Sequence, residues 1–170
     1  MLAYHFLRGD MRSGEGDEPP WAVGELRTLP PGRVIKPCVY GYHGSPTVRD
    51  ALTFAPGTIL CLVELPGDAI AHGDPVDKYV GRSRQLLAAV DVRKHLVAWA
   101  ADCAERVLPL FEASSPDDAR PREAIAAARE AIRIAAVYAA YGGADAAAYA
   151  AYASADAAAS AARAANAAHG

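Results

Sequence analysis

The chain has few of the residue patterns from which an enzyme or a metal site can be read directly. It contains no GxSxG elbow, no P-loop and no GxGxxG turn, so a serine-hydrolase triad, a P-loop nucleotidase and a dinucleotide-binding unit are all set aside. Cysteine is scarce. Cys38, Cys61 and Cys103 are odd in number and have neither CxxC nor zinc-ligand spacing, which points to reduced, buried thiols rather than a disulfide framework. Basic excess is also missing: 17 Lys and Arg against 20 Asp and Glu leave a formal charge of -3, so nucleic acid is not the expected partner. The first ten residues, MLAYHFLRGD, lack the basic start and longer apolar run of a signal peptide, and a cytoplasmic protein is expected. The alanine-rich C-terminal tract is interrupted by Asp145, Asp156, Arg163 and Asn166, which argues against a membrane span.

What is present is enough apolar sequence, 52% of 170 residues, for one good core plus an appendage. Leu2–Leu7 mixes apolar and aromatic residues and predicts a first strand. Arg8–Pro31, rich in Gly, Pro and acidic residues, predicts a long loop held down by Trp21, Val23 and Leu26. Val34–Tyr42 predicts a second strand, with Pro37 favouring an edge or a bend. Ser45-Pro46 looks like a helix start, Ser45 as N-cap and Pro46 in the first turn, and Val48, Ala51, Leu52 and Ala55 supply the apolar stripe of a short helix. Thr58–Leu65, TILCLVEL, is the strongest strand, expected to be covered on both faces. Further strands are expected around Ala69–Ala71 and across Lys78–Val90, with Arg82 and Arg84 pointing outward.

From Asp91, a plausible helix cap, Val92, Leu96, Trp99, Ala100, Cys103, Val107 and Leu110 recur at helical spacing. They predict an amphipathic helix whose apolar face packs on the sheet. Beyond it the composition changes abruptly: residues 122–170 contain 26 alanines in 49 residues. An 11-residue repeat there aligns Tyr138, Tyr141 and Asp145 with Tyr149, Tyr152 and Asp156 along one side of a helix. The opposite, bare alanine side lets two helix backbones approach closely, which predicts packing against another helix in the same chain or a second copy. The fold class expected is therefore α+β: a small mixed or antiparallel sheet domain with its amphipathic helix at 1–112, a linker at 113–121, and a helical hairpin or kinked helix at 122–170.

The densest cluster of side chains able to contact a ligand is Tyr40, Tyr42, His43, Ser45 and Arg49. His43 offers hydrogen bonds there, and Gly44 offers close approach to the backbone. His5 on the first strand is a second candidate. Lys78, Arg82 and Arg84 form a potential cationic wall for phosphate or carboxylate, against the simpler alternative of a solvated strand face. His72 and Asp74 lack companion metal ligands.

Two resemblances follow from particular motifs. LAYHFLR at the start, the Gly41-Tyr42-His43-Gly44-Ser45 turn, DALTFAPG, ILCLVEL and an alanine-rich end together resemble a group of phage and actinobacterial proteins for which no activity is implied. More distantly, Gly41-Tyr42-His43, the helix with Asp50-Ala51-Leu52, and Gly57–Leu65 are similar to the corresponding run of the ADP-ribosyltransferase fold. That resemblance implies NAD or a related nucleotide as ligand. It places His43 at the nicotinamide-stacking tyrosine, His5 at the ribose-binding histidine of the first strand, and Lys78 where the family carries its catalytic glutamate. A lysine cannot stabilise an oxocarbenium-like centre.

The function expected is that of a non-enzymatic, phage-associated binding protein, with no catalytic residue and no obligatory cofactor. A cleft formed by Tyr40, Tyr42, His43, Ser45, Arg49, His5, Lys78 and Arg84 would take a nucleotide-like ligand, and the alanine-rich helices would make a homo-oligomer. An ADP-ribosyltransferase is the alternative. A helical partner-binding or ice-binding surface comes third, because the tail looks like some antifreeze helices but carries Tyr at its repeat positions.

Overall fold

Leu2–Leu7 (β1) and Ile59–Glu64 (β4) pair antiparallel from Leu2↔Glu64 to Leu7↔Ile59, and this ladder is the centre of the N-terminal part of the chain. The computed structural model describes residues 1–14 and 18–140. The fold is α+β, with antiparallel sheets followed by a helical C-terminal region. By its contacts the chain divides into two units, Met1–Arg93 and Lys94–Gly170.

In the first unit, Leu26–Thr28 (β2), Tyr42–Gly44 (β3), Ile70–His72 (β5), Lys78–Gly81 (β6) and Ser83–Asp91 (β7) join β1 and β4. They make one sheet in the order β1-β4-β7-β2 and another in the order β3-β6-β5. The two sheets meet where Tyr4 of β1 exchanges backbone hydrogen bonds with Ser45 (2.7 and 2.8 Å). On β4, Cys61 and Val63 are fully buried while Leu60 and Leu62 are half-buried, so one face carries the core and the other is only partly covered. Ala3, Leu7, Trp21, Cys61, Val63 and Leu86 form that core. Between β4 and β7 the register slips at Leu62/Val63, leaving Leu87 as an extra residue. Leu86 and Ala89 therefore both reach the core although strict alternation would separate them.

Several local expectations are corrected. Val34–Tyr42 is not a strand: Lys36 and Tyr40 close a tight turn (2.8 and 2.9 Å), Cys38 takes φ 61°, and only Tyr42–Gly44 pairs with β6. Pro37 inside the segment has no N–H for a ladder. Ser45 does not cap the short helix (α1, Val48–Thr53), because its backbone is committed to Tyr4. Thr47 is the N-cap, its Oγ1 accepting from the Asp50 N–H at 3.1 Å. In the long loop Trp21 alone does the expected pinning, while Val23 and Leu26 are exposed. Arg84 is buried, not outward. Of the three thiols only Cys61 is buried, and Cys38 and Cys103 are exposed.

Arg93–Ser114 (α2), which falls in the second unit from Lys94 onward, and Arg120–Ala140 (α3) are joined by a short turn. Asp91 Oδ1 accepts from the Arg93 N–H at 2.9 Å, at the start of α2. The two helices run antiparallel: Arg122 pairs with Glu112 (2.6 Å), and Arg129 with Asp102 (2.5 Å) and Glu105 (2.7 Å). α2 and α3 thus pair as two antiparallel helices, and most of the stretch 122–170, where a hairpin or kinked helix is expected, lies outside the described residues. Along the stripe read as apolar on α2, Trp99, Ala100, Cys103, Val107 and Leu110 are exposed, and Ala101 is the buried residue. Among the described residues no helix is long and apolar enough to cross a membrane. The 11-residue repeat lies, beyond the helical backbone at Tyr138, outside the described residues.

Candidate functional site

The junction of the two sheets leaves a half-open cavity of about 420 Å³. β1 contributes Tyr4 and His5, β3 and the residues flanking it contribute Gly41 to Ser45, β6 contributes Lys78 and β7 contributes Arg84. Ser13, Glu18, Cys38, Ala51 and Phe54 complete the wall. Six residues singled out from the sequence, His5, Tyr42, His43, Ser45, Lys78 and Arg84, therefore line one space. Two do not: Tyr40 lies under the Arg33 guanidinium (4.1 Å), and Arg49 is exposed on α1. Arg82 is also elsewhere, donating to the carbonyls of Pro30 (2.6 Å) and Arg33 (2.8 Å), so it pins the loop rather than joining a cationic wall.

Arg84 owes its position to strand alternation. It lies on the same side of β7 as Leu86 and is 2% exposed. Its Nη1 donates to the His43 carbonyl (3.1 Å) and its Nη2 to Ser13 Oγ (2.6 Å), while the guanidinium lies over the Trp21 ring at 4.4 Å. Burial lowers its pKa to about 10, which still leaves it charged near neutrality. Lys78 is 7% exposed. Its Nζ donates to Cys38 Sγ (3.2 Å) and sits 3.5 Å from the centre of the Phe54 ring. Among the described residues neither cation is ion-paired with a carboxylate.

The two histidines differ in what they have left to offer. His43 Nε2 accepts from the Cys38 N–H (3.1 Å), and the Gly41 backbone engages the ring as well, so the imidazole organises the 36–41 turn. Burial, with Lys78 and Arg84 next, pushes its pKa down and favours the neutral ring. His5 is pushed well below the ordinary imidazole value by burial and then by Arg84. Its Nε2 is buried and has no hydrogen-bond partner. Of the two, His5 is the ring with an open valence. Gly44 lines the cavity, and the space a Cβ would need there is filled by Ala3 Cβ at 2.8 Å and Val63 Cγ2 at 3.3 Å, so packing also calls for glycine.

Sequence reasoning missed Glu18, Ser13, Cys38 and Phe54. Glu18 and Ser13 lie in the long loop and reach the cavity only because Trp21 anchors that loop under Tyr42, the rings meeting edge to face at 5.5 Å. Cys38 carried a faint signal, five residues before His43 and next to the turn-forming Pro37. His72 pairs with Asp77 (3.2 Å) rather than with Asp74, and among the described residues no group of three metal-ligating side chains gathers.

No curated protein and no solved structure matches the chain. A family model described as "Imm-5 like putative immunity protein" matches residues 86–170, half of the chain. The match takes in the end of β7, both helices of the hairpin and the alanine-rich C-terminal stretch, while every cavity residue lies before it. The chain belongs to this Imm-5 like family.

Proposed function

We propose that this chain is a non-enzymatic immunity-type binding protein whose N-terminal unit holds a small nucleotide-like ligand in the cavity at the sheet junction. The observation that carries the reading is the convergence of His5, His43, Lys78 and Arg84, from four different strands, on one space. A cavity of about 420 Å³ is within the usual size range for small-molecule sites. The family match supports a protective rather than a catalytic role for the chain as a whole. Self-association through the alanine-rich C-terminal region is part of the proposal, and sedimentation over a range of protein concentrations tests it. A monomer throughout would remove that part. For the ligand, titration calorimetry with NAD, ADP-ribose and cyclic nucleotides is the direct measurement. Binding that Lys78→Met weakens is the expected result, and heat from none of these compounds would end the reading.

A second reading, an ADP-ribosyltransferase acting on NAD, is supported by the same convergence, because His5, His43 and Lys78 are the positions that the resemblance picks out. Lys78 stands where that chemistry wants an acid, and the cavity's carboxylate, Glu18, comes from the loop instead. Mass spectrometry of lysate incubated with labelled NAD separates the two readings. Transferred label that Glu18→Gln abolishes would favour the enzyme.

A further inference from the structure

We propose that the cavity contains a phosphate subsite, in which Arg84 and Lys78 bind the phosphate groups of the ligand. This rests on the reading of the cavity as a ligand site and names the chemistry of what enters it. A buried cation is normally paired, because taking it out of water costs more than neutral hydrogen bonds return. Arg84 breaks that pattern. Its two hydrogen bonds go to neutral acceptors, the His43 carbonyl and Ser13 Oγ, and its remaining contacts are aromatic faces. A guanidinium carries five N–H donors in one plane, so donors remain for an oxyanion. Lys78 is in the same position, held by a thiol and a ring, with ammonium donors to spare.

The charge around them offsets theirs only in part, with Glu18 acting on Arg84. Glu18 is the carboxylate on the cavity wall among the described residues, and it is already occupied, accepting from the Ser13 N–H and lying 3.8 Å from Arg27. His5 and His43 add no opposing charge. Two cations facing a cavity with one engaged carboxylate call for a ligand with more than one negative charge. A phosphate ester or diphosphate meets that better than a single carboxylate, and the planar fork of Arg84 suits phosphate oxygens. His5 lines the same cavity, but its unpartnered Nε2 is closed off from it, so the subsite is built on the two cations.

Inorganic pyrophosphate is the probe, titrated into the full chain by calorimetry alongside adenosine and ADP-ribose. Pyrophosphate should bind at one site, displace ADP-ribose, and lose at least about tenfold in affinity in Lys78→Met, which keeps the apolar stem and removes the charge. Arg84→Gln should do the same, and because Arg84 is buried, Lys78→Met and the competition in the unaltered chain keep the test decisive if that variant does not fold. Binding of adenosine and ADP-ribose with equal affinity, without displacement by pyrophosphate, would overturn the phosphate subsite and leave the cleft reading standing. Pyrophosphate binding unchanged in Lys78→Met would also overturn it. Binding of none of the three would remove both proposals.

Discussion

Lowering the pH through the histidine range should destabilise the N-terminal unit through His5. Its folded pKa is pushed well below the ordinary imidazole value, first by burial and then by Arg84, whereas in the unfolded chain it titrates normally. The neutral ring is therefore favoured by folding. Its contribution is complete above the unfolded pKa of about 6.5 and is lost as pH falls from there toward the folded value. Between about pH 7.5 and about pH 5.5, one imidazole that stays neutral in the fold and protonates on unfolding removes roughly 1.4 kcal/mol. His43, shifted in the same direction by burial and then Lys78, adds to the loss until its own folded pKa is reached. Urea unfolding followed by circular dichroism at both pH values measures the loss as a midpoint shift of at least about 1.4 M for a urea slope near 1 kcal/mol per molar. His5→Gln serves as the control, since it removes the titrating ring while keeping a polar side chain. The variant should lose about 1.4 kcal/mol less than the unaltered chain over the same interval. Equal losses in the two proteins would refute the assignment of His5 as an imidazole that the fold holds neutral.

Other perturbations test the frame around the cavity. Phe6→Ala removes one of the largest fully buried side chains and should cost about 3–5 kcal/mol in chemical unfolding. Gly41→Ala should fold poorly and lose the cavity, because Gly41 has φ 148° and a Cβ there collides with Val80, and a drop in melting temperature checks it. Thr47→Ala removes the acceptor for the Asp50 N–H and should cost about 1 kcal/mol, while Ser45→Ala, at the position first read as the cap, should leave the α1 cap intact. Pro109 lies inside α2, so Pro109→Ala should raise helicity and thermal stability, read by circular dichroism.

Elements with a strong local signal were legible. TILCLVEL declared β4 and LAYHFL declared β1, because burial period is written in the residues themselves, while the apolar spacing after Asp91 declared that α2 is a helix although most of that stripe is exposed. The turn at 36–41 was not, since Val34, Ile35, Val39 and Tyr40 have strand-like character, while Pro37 and the left-handed backbone at Cys38 decide against a ladder. Ser45 illustrates a different failure. Ser-Pro is a good local cap, yet pairing with Tyr4, forty-one residues earlier, claims its backbone, and the cap moves to Thr47.

The sequence by itself determined the α+β class, most of the strands and helices in order though not β2, which it read as loop, and a list of polar residues capable of meeting a ligand. Those follow from periodicity and turn chemistry, which act over a few residues. Which of the candidates share a space was decided only by the tertiary structure. β1, β3, β6 and β7 are brought to one junction by long-range pairing, which gathers His5, His43, Lys78 and Arg84 and leaves Tyr40, Arg49 and Arg82 outside. The loop anchored by Trp21 delivers Ser13 and Glu18 to the same place. Arg84 shows the division most clearly. Its neighbours in sequence describe a solvated strand face, and only the packing of β7 against the core turns it into a buried, unpaired cation at the cavity wall.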